Sequence, residues 1–242
     1  MTNKKFSLVV PAYNEALIIG STVKTILEYL ETTFSDYELI ISDDGSTDET
    51  RAIVENIEDS HLICIGHTPN KGKGAAVREG ILAAGGGIIV CTDADLAYGV
   101  EILGKIAQQI ADGEYDLVIG SRKLHPEGYA DYPPLRLVAS RCFSSITGKL
   151  AGFRYDTQCG LKAYTAPAAR QIFSRCVTDG FAFDFEAMMI ASKLGLNVGQ
   201  LPVKIENHRD SKVRVLSDSL KMLKDVVGIR RRVDKTWRKE KV

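Results

Sequence analysis

The sequence predicts an α/β protein whose mostly parallel sheet is flanked by helices. Short apolar runs with turn-forming residues near their ends alternate with helical patterns through residues 1–120. Such alternation is typical of parallel strands joined by helical crossovers. With 242 residues, 45% apolar and 26% charged, the chain can bury one good-sized core. No internal repeat or low-complexity tract divides it.

The strands of the first half are predicted from five apolar runs. They are Phe6–Val10, Glu38–Ile41, His61–Ile65, Gly87–Cys91 and Asp116–Ile119. A helix is expected after the first strand, because apolar residues recur there on one face, at Ile19, Val23, Ile26, Leu27 and Leu30. Ser46 and Glu49 have the spacing of a capping box, which predicts the start of the next helix.

The pattern changes after Arg122. The stretch His125–Pro134 is rich in Pro, Gly, Tyr and charge and reads as a long loop, and Leu135–Phe153 resumes an amphipathic helical pattern. Residues 159–205 add a short strand, two helices and a last strand, around Ala166–Cys176, Glu186–Leu194 and Val198–Ile205. The pattern therefore separates a first part at about 1–122 from a second part at about 123–208.

The C-terminal segment 209–242 is basic. It holds 12 Lys or Arg against 5 Asp or Glu, although the whole chain has no net charge. Apolar residues recur within it at helical spacing, at Leu216, Leu220, Leu223 and Val227. This amphipathic pattern is typical both of a helix lying on an anionic membrane surface and of a terminal helix packed on the core. Trp237 fits an interfacial anchor or a disordered tail.

Cysteine usage and hydropathy point to the cytoplasm. The five cysteines are scattered, with no CxxC pair, which favours reduced thiols. No run approaches the roughly 18 apolar residues of a membrane span, and the N-terminus lacks a signal peptide's apolar stretch. We expect a cytoplasmic protein that does not bind nucleic acid, with contact to a membrane limited to its surface.

Acidic residues follow two of the predicted strands. Asp93 and Asp95 lie two apart, so both carboxylates leave the strand end on one side. Asp43 and Asp44 follow another strand, and an open parallel sheet binds ligands beyond the carboxyl ends of its strands. The pattern predicts a divalent cation that carries a nucleotide. For Asp43 and Asp44 alone, a turn that caps the next helix explains the residues equally well.

Two common phosphate-binding motifs are excluded. The segment Pro11–Glu15, after the first strand, lacks the G-x-G-x-x-G of dinucleotide dehydrogenases. The stretch from Gly66 to Lys73 departs from a P-loop, since five residues separate its glycines and Gly74 stands where Ser or Thr binds magnesium. Neither hydride transfer nor ATP hydrolysis is therefore expected.

The motifs together resemble those of the inverting family 2 glycosyltransferases, which have the nucleotide-sugar-binding GT-A fold. Within them the chain looks most like the polyprenyl-phosphate sugar synthases of the dolichyl-phosphate glucose synthase type. The resemblance runs from about Phe6 to Arg230 and rests on the segments 9–15, 43–48, 70–74, 92–95, 120–122, 156–160, 183–186 and 211–212. Asp156–Gly160 is the most subgroup-specific motif and favours a glucosyl over a mannosyl synthase.

The resemblance implies that 1–208 is the catalytic domain, with a nucleotide-binding part at about 1–122 and an acceptor part at about 123–208. It also implies a role for individual residues. The metal, Mg²⁺ or Mn²⁺, is expected on Asp95 with support from Asp93, and the phosphates of the donor should complete its coordination. The expected donor-binding residues are Pro11, Tyr13, Glu15, Asp43, Asp44, Lys73, Asp93, Ala94, Gln158 and Glu186. Arg122, Arg209 and Lys212 are the basic candidates for the leaving or accepting phosphate.

The catalytic candidates are Asp156 and Arg122. A hydroxyl acceptor must lose a proton as it attacks, which requires a base, and the resemblance nominates Asp156. A lipid phosphate is already anionic, so that Asp156 would orient the acceptor or the sugar and positive charge would matter more. Asp184 and Glu186, two apart near a helix start, either cap that helix or touch the donor sugar.

The leading hypothesis is transfer of glucose from UDP-glucose to a polyprenyl phosphate at the membrane surface. Attachment to the membrane would then use Leu135–Phe153 and the basic C-terminal segment. The alternatives with the same fold are a GDP-mannose-dependent polyprenyl-phosphate mannosyltransferase and an enzyme with a sugar hydroxyl acceptor. The alternative from another class is a non-catalytic nucleotide-sugar-binding protein.

Overall fold

The computed structural model describes residues 5–130, 148, 155–207 and 215–240, and the side chains of the last segment from 225 to 238. A sheet of seven strands, in the order β3-β2-β1-β4-β6-β5-β7, forms its centre. The strands are β1 Phe6–Ala12, β2 Tyr37–Asp43, β3 Leu62–Gly66, β4 Ile88–Cys91, β5 Leu117–Ser121, β6 Lys162–Thr165 and β7 Val198–Pro202. The predicted fold class, a mostly parallel sheet flanked by helices, is confirmed.

Seven α-helices are described around this sheet. They are α1 Ile19–Thr33, α2 Thr50–Glu55, α3 Lys73–Ala83, α4 Glu101–Ala111, α5 Ala166–Phe173, α6 Phe183–Leu194 and α7 Val215–Glu240. The apolar face predicted for α1 is buried as expected. α3 packs on β1 and β2, and α4 packs on β4, β5 and β6. The core is therefore continuous along the sheet.

β6 is the exception to the parallel pairing. It runs antiparallel to both of its neighbours, β4 and β5, with Val90 and Val118 each opposite Ala163. The strand alternation predicted a parallel sheet, and it gave no sign of this reversal because periodicity carries no strand direction. The reversal carries the 156–160 segment, which precedes β6, to the carboxyl end of β4.

β1 and β2 extend further than predicted, to Ala12 and Asp43. Pro11 therefore lies inside a central strand, paired with Ser42 of β2. Proline cannot donate to a ladder, but β4 pairs with β1 only as far as Val9. The missing N–H of Pro11 thus lies where β1 no longer pairs with β4, so no hydrogen bond between these strands is lost.

The predicted capping box does not form. α2 begins at Thr50, and no side chain caps it from Glu49. The Thr50 backbone N–H instead donates to Asp48 Oδ1 at 3.0 Å. The Ser46 hydroxyl accepts from the backbone N–H of Asn14, which lies 32 residues away. The Ser46 hydroxyl therefore bonds to the segment that follows β1 and not to the first turn of α2.

The C-terminal helix packs on the body of the protein. α7 lies against α6, with Val226, Ile229 and Val233 buried, and Trp237 packs against the core. Of the two interpretations of the basic segment, a packed terminal helix holds for 225–238. Leu135–Phe153, apart from Gly148, lies outside the described residues. No helix in the described ranges is both long and apolar enough to cross a bilayer.

Candidate active site

The carboxyl ends of three parallel strands meet at one edge of the sheet. Ala12 of β1 is in register with Asp43 of β2, and Val9 of β1 with Cys91 of β4. The three segments that follow, 11–15, 43–46 and 93–95, therefore share this edge, as expected from the sequence. We call this edge the acidic rim.

Two side chains fasten the end of β1 to the end of β2. Asn14, in the left-handed region at φ 53°, accepts from the Thr47 backbone N–H through Oδ1 at 2.8 Å. The Glu15 backbone N–H donates to Thr50 Oγ1 at 2.7 Å. The neighbouring Tyr13 is 39% exposed. The segment that holds the predicted donor-binding residues Pro11, Tyr13 and Glu15 is thus fixed by these hydrogen bonds.

Asp43 and Asp44 are both buried, and the carboxylate of each accepts hydrogen bonds from backbone N–H groups. Asp43 accepts from the Ser46 backbone N–H, which closes a turn. Asp44 accepts from Asn70 Nδ2 at 2.8 Å, from His67 Nε2 at 3.0 Å and from the N–H groups of Lys71 and Gly72. Asp44 therefore has the structural role of the turn interpretation, tying the 67–72 loop to β2. Contact of Asp43 and Asp44 with a nucleotide stays a prediction.

Lys73 and Asp93 form an ion pair at the rim, with 2.6 Å between Nζ and Oδ1. Burial alone would raise the pKa of Asp93, but the charge and hydrogen bond of Lys73 outweigh it and hold that pKa below the usual range. Gly160 lies directly beneath, because a Cβ there would stand 2.1 Å from Asp93 Oδ2. The glycine of the subgroup-specific motif is thus explained by the close approach of Asp93.

Asp95 lies in a different environment from Asp93. Burial and the neighbouring Asp93 charge raise the pKa of Asp95, although the N–H of Ala97 donates to its Oδ1 at 3.1 Å. The charge of Glu15 is a further, smaller cause of this rise. In the part of the chain that the structure describes, Asp95 has no basic partner. Ala94 is anchored between the two carboxylates by the Thr22 hydroxyl, which donates to its carbonyl at 2.8 Å.

These carboxylates fit a hard divalent cation. Within the described ranges, no group of three His, Cys, Asp or Glu side chains is placed to hold a metal alone. Mg²⁺ and similar ions are commonly held by one or two carboxylates together with substrate phosphates. Asp95, without a cationic partner among the described side chains, could serve as one such ligand and Asp93 as a second, and both roles stay predictions.

Arg122 and Asp156 form a buried bidentate pair. Arg122 Nε and Nη2 each donate to a different oxygen of Asp156 at 2.8 Å, and the Arg122 backbone N–H also donates to Oδ2. The Arg122 guanidinium lies 5.7 Å from the ring centroid of Tyr129. Burial would raise the pKa of Asp156, but its bonds to Arg122 lower it below the usual range. Asp156 is therefore a stable carboxylate and a poor proton acceptor.

A second buried ion pair, between Lys162 and Asp184, was not predicted from the sequence. Lys162 Nζ lies 2.6 Å from Asp184 Oδ1 and 2.5 Å from the carbonyl oxygen of Cys159. Lys162 also helps to lower the pKa of Asp93, whereas burial raises the pKa of Asp184. Charges thus alternate from Lys73 through Asp93 to Lys162 and Asp184. The signal in the sequence that could have indicated this pair is a lysine within a short, buried strand, Lys162-Ala163-Tyr164.

The remaining predicted residues divide into three cases. Glu186 is 1% exposed and accepts from the backbone N–H groups of Val177 and Thr178, so its contacts are structural and a role toward the sugar stays a prediction. Gln158 Nε2 is buried and finds no hydrogen-bond partner within the described residues, and its contact with the donor stays a prediction. Arg209 and Lys212 lie outside the described residues.

Comparison with known proteins identifies the class. The family model described as glycosyl transferase family 2 matches residues 7–177. The chain belongs to this family, and the predicted glycosyltransferase class is confirmed.

Three curated relatives are similar over most of the chain. A dolichyl-phosphate beta-glucosyltransferase of Trichomonas vaginalis is 34% identical over 92% of this chain and 70% of its own length. A UDP-N-acetylglucosamine–dolichyl-phosphate N-acetylglucosaminyltransferase of Methanococcus voltae is 30% identical over 84% and 86%. Glycosyltransferase AglD of Haloferax volcanii is 31% identical over 96% of this chain, which spans only 36% of AglD.

Solved structures support the GT-A fold. Glucosyl-3-phosphoglycerate synthase from Mycobacterium tuberculosis, solved with Mn²⁺, UDP-glucose and phosphoglyceric acid, superposes with a TM-score of 0.72 at 20% identity. The match covers 94% of this chain and 80% of that chain. The predicted GT-A fold is confirmed by this likeness together with the family match.

Proposed function

We propose that the protein transfers glucose from UDP-glucose to a polyprenyl phosphate, with inversion at the sugar C1 and with a divalent metal bound. The transferred glucosyl group and the dolichyl-phosphate acceptor are those in the name of the Trichomonas vaginalis relative. The presence of the whole Asp156–Gly160 motif supports glucose over mannose. The metal is the kind of ion found with UDP-glucose in the Mycobacterium tuberculosis structure.

The bidentate pair between Arg122 and Asp156 is the observation that favours a phosphate over a hydroxyl as the acceptor. A sugar hydroxyl needs a carboxylate base, yet both oxygens of Asp156 accept from Arg122 and the pKa of Asp156 is lowered. A weakly basic, fully bonded carboxylate removes protons poorly. A phosphate monoester is already anionic near neutral pH, so it attacks without such a base. The geometry therefore favours a phosphate acceptor, for which Asp156 fixes the orientation of Arg122.

The reaction then needs positioning and charge rather than proton transfer. An oxygen of the acceptor phosphate forms a bond to the sugar C1, the bond from C1 to the UDP oxygen breaks, and UDP leaves with the electron pair. When bound, the metal neutralises charge that builds on the departing diphosphate. Asp95 and Asp93 would hold it. Lys73 adds a positive charge at the same rim, and the rigid 11–15 segment seats the base.

The acceptor is a lipid, so we place the reaction at the cytoplasmic surface of a membrane. The basic segment 209–242 supports this placement, because clustered Lys and Arg attract anionic lipids. Exposed basic residues on the described part of α7 include Arg230, Arg231 and Arg238. The protein would then be peripheral to the bilayer.

The test is a product assay with purified protein, UDP-glucose, Mn²⁺ and a polyprenyl phosphate in detergent. We expect a lipid-linked glucose and one UDP for each glucose transferred. The matched reaction with 3-phosphoglycerate in place of the lipid should give no product. Transfer to the soluble acceptor without transfer to the lipid would contradict the proposed acceptor.

A second donor is favoured by one comparison. The Methanococcus voltae relative is matched over 86% of its length and is named for UDP-N-acetylglucosamine. The alternative function is therefore N-acetylglucosaminyl transfer to the same class of acceptor. Competition among UDP-glucose, UDP-N-acetylglucosamine and GDP-mannose at equal concentrations separates the donors, and we expect glucose to dominate the lipid product.

A further inference from the structure

The buried carboxylate of Glu186, at the start of α6, receives its counter-charge from the C-terminal helix. Arg232 Nη2 lies 2.8 Å from Glu186 Oε1 and 2.7 Å from Thr178 Oγ1. Glu186 is 1% exposed, and Arg232 is the basic side chain that pairs with it among the described residues. A buried carboxylate without a partner is costly, so this contact determines whether Glu186 keeps its place.

The other oxygen of Glu186 fixes the segment 177–179. Glu186 Oε2 accepts from the backbone N–H groups of Val177 at 3.0 Å and Thr178 at 2.7 Å. The next carbonyl, that of Asp179, accepts from the N–H groups of Gly74 at 2.7 Å and Ala75 at 3.3 Å. The segment thus joins Glu186 to the first turn of α3 through hydrogen bonds at both ends.

The approach between this segment and α3 is too close for any residue but glycine. A Cβ on Gly72 would stand 2.6 Å from the Asp179 carbonyl oxygen, and one on Gly74 would stand 2.5 Å from that of Thr178. Lys73 lies between these two glycines, so the position of the segment sets the position of the Lys73 backbone. Lys73 in turn pairs with Asp93 at the rim.

We propose that Arg232 is a positioning residue for the donor site. Through Glu186 and the segment 177–179, it holds the start of α3 where Lys73 meets Asp93. The C-terminal helix then belongs to the catalytic unit, beyond any contact that it makes with a membrane. This inference rests on the proposed function, in which Lys73 acts on the nucleotide diphosphate.

The test compares Arg232→Met with Arg231→Met, whose exposed side chain has no ion pair within the described ranges. Hydrogen exchange at the Gly74 and Ala75 amides reports the contact, and calorimetry with UDP and Mn²⁺ reports the donor site. We expect Arg232→Met to speed exchange at both amides and to weaken UDP binding about tenfold, as losses of supporting contacts commonly do. Arg231→Met should change neither, and Arg232→Lys should recover part of both.

The two readouts separate the inference from the proposed function. If folded Arg232→Met shows wild-type exchange at Gly74 and Ala75, the inference is wrong. If Arg232→Met does not fold, Arg232→Lys decides: intermediate exchange and affinity support the inference, and wild-type values for both overturn it. If the wild-type protein binds no UDP, the proposed function fails, and the exchange comparison still decides whether Arg232 positions α3.

Discussion

Lys73 Nζ lies 2.6 Å from Asp93 Oδ1, so a side-chain cation already occupies one of the two carboxylates proposed to hold a metal. Asp95, two residues on, has no such partner among the described side chains. A divalent ion that binds without a nucleotide must therefore compete with Lys73 for Asp93. With a nucleotide present, the diphosphate offers Lys73 another anion. This relationship makes nucleotide and metal binding interdependent.

Lys73→Met should change metal and nucleotide affinity in opposite directions. Mn²⁺ alone should bind about fivefold more tightly, because even in water a unit charge in contact contributes about 1 kcal/mol. UDP in the presence of Mn²⁺ should bind more weakly, since the diphosphate loses a cation. Calorimetric titration measures both. Unchanged affinity for Mn²⁺ alone would show that Lys73 does not compete with the metal.

Asp95→Asn should abolish metal-dependent nucleotide binding and leave the fold intact. The amide oxygen can still accept from the Ala97 backbone N–H, which is the hydrogen bond that Asp95 Oδ1 makes. Turnover should fall by about 100-fold or more with the loss of the charged ligand. A thermal-shift assay should show no stabilisation by UDP with Mn²⁺. The control is Asp112→Asn, at an exposed position. If UDP with Mn²⁺ stabilised both variants equally, Asp95 would not be a metal ligand.

Asp156→Asn should destabilise the protein in a pH-dependent way. It leaves Arg122 buried without its carboxylate, which costs about 3 kcal/mol in the free energy of unfolding at pH 7. The pKa of Asp156 is lowered in the folded state, so its contribution is present above the unfolded value of about 3.9 and is lost as pH falls through the folded value. Urea denaturation from pH 7 down to pH 3 measures this difference.

The difference in free energy of unfolding between wild type and Asp156→Asn should therefore shrink as pH falls below about 4, where the carboxyl of the unfolded chain becomes protonated, and should disappear as pH passes through the lower pKa of Asp156 in the folded protein. A difference that stays constant across the whole range would mean that the ion pair does not cause the loss.

Gly160→Ala should disturb the rim at Asp93. The added Cβ would stand 2.1 Å from Asp93 Oδ2, so the carboxylate has to move away. We expect UDP binding with Mn²⁺ to weaken about tenfold, as for other changes beside a metal ligand. The control is Gly228→Ala within α7, where no atom of the described residues, apart from the helix's own backbone, lies within 4 Å of the new Cβ. It should be neutral or raise the free energy of unfolding by up to about 1 kcal/mol. Wild-type UDP affinity in Gly160→Ala would contradict the close approach of Asp93.

The sheet was predictable because local patterns determine it. The strands β1 to β5 and β7, and the buried face of α1, follow from apolar runs and spacing within a few residues. The shared edge of Asp43 and Asp93 followed from the parallel direction of these strands. Residue pairs distant in sequence were not predictable in the same way. Ser46 caps no helix, because its hydroxyl accepts a hydrogen bond from the backbone N–H of Asn14, 32 residues earlier.

The charge pairs show the same limit. Arg122 and Asp156 were each named as site residues, but their mutual pairing across 34 residues became visible only in the structure. That pairing changes the chemistry, since it makes Asp156 a poor base. The contact of Arg232 with Glu186, 46 residues apart, likewise has no local pattern. The motifs predicted which residues lie at the site, whereas the ion pairs that these residues form could be found only from the fold.

The most direct measurement is a crystal structure with UDP and Mn²⁺, in which anomalous scattering locates the metal. We predict a Mn²⁺ peak bound to Asp95 and to the diphosphate of UDP, with Lys73 near the same phosphates and Asp156 still paired with Arg122. A metal bound away from Asp95, or UDP bound away from the edge formed by β1, β2 and β4, would contradict the proposed chemistry.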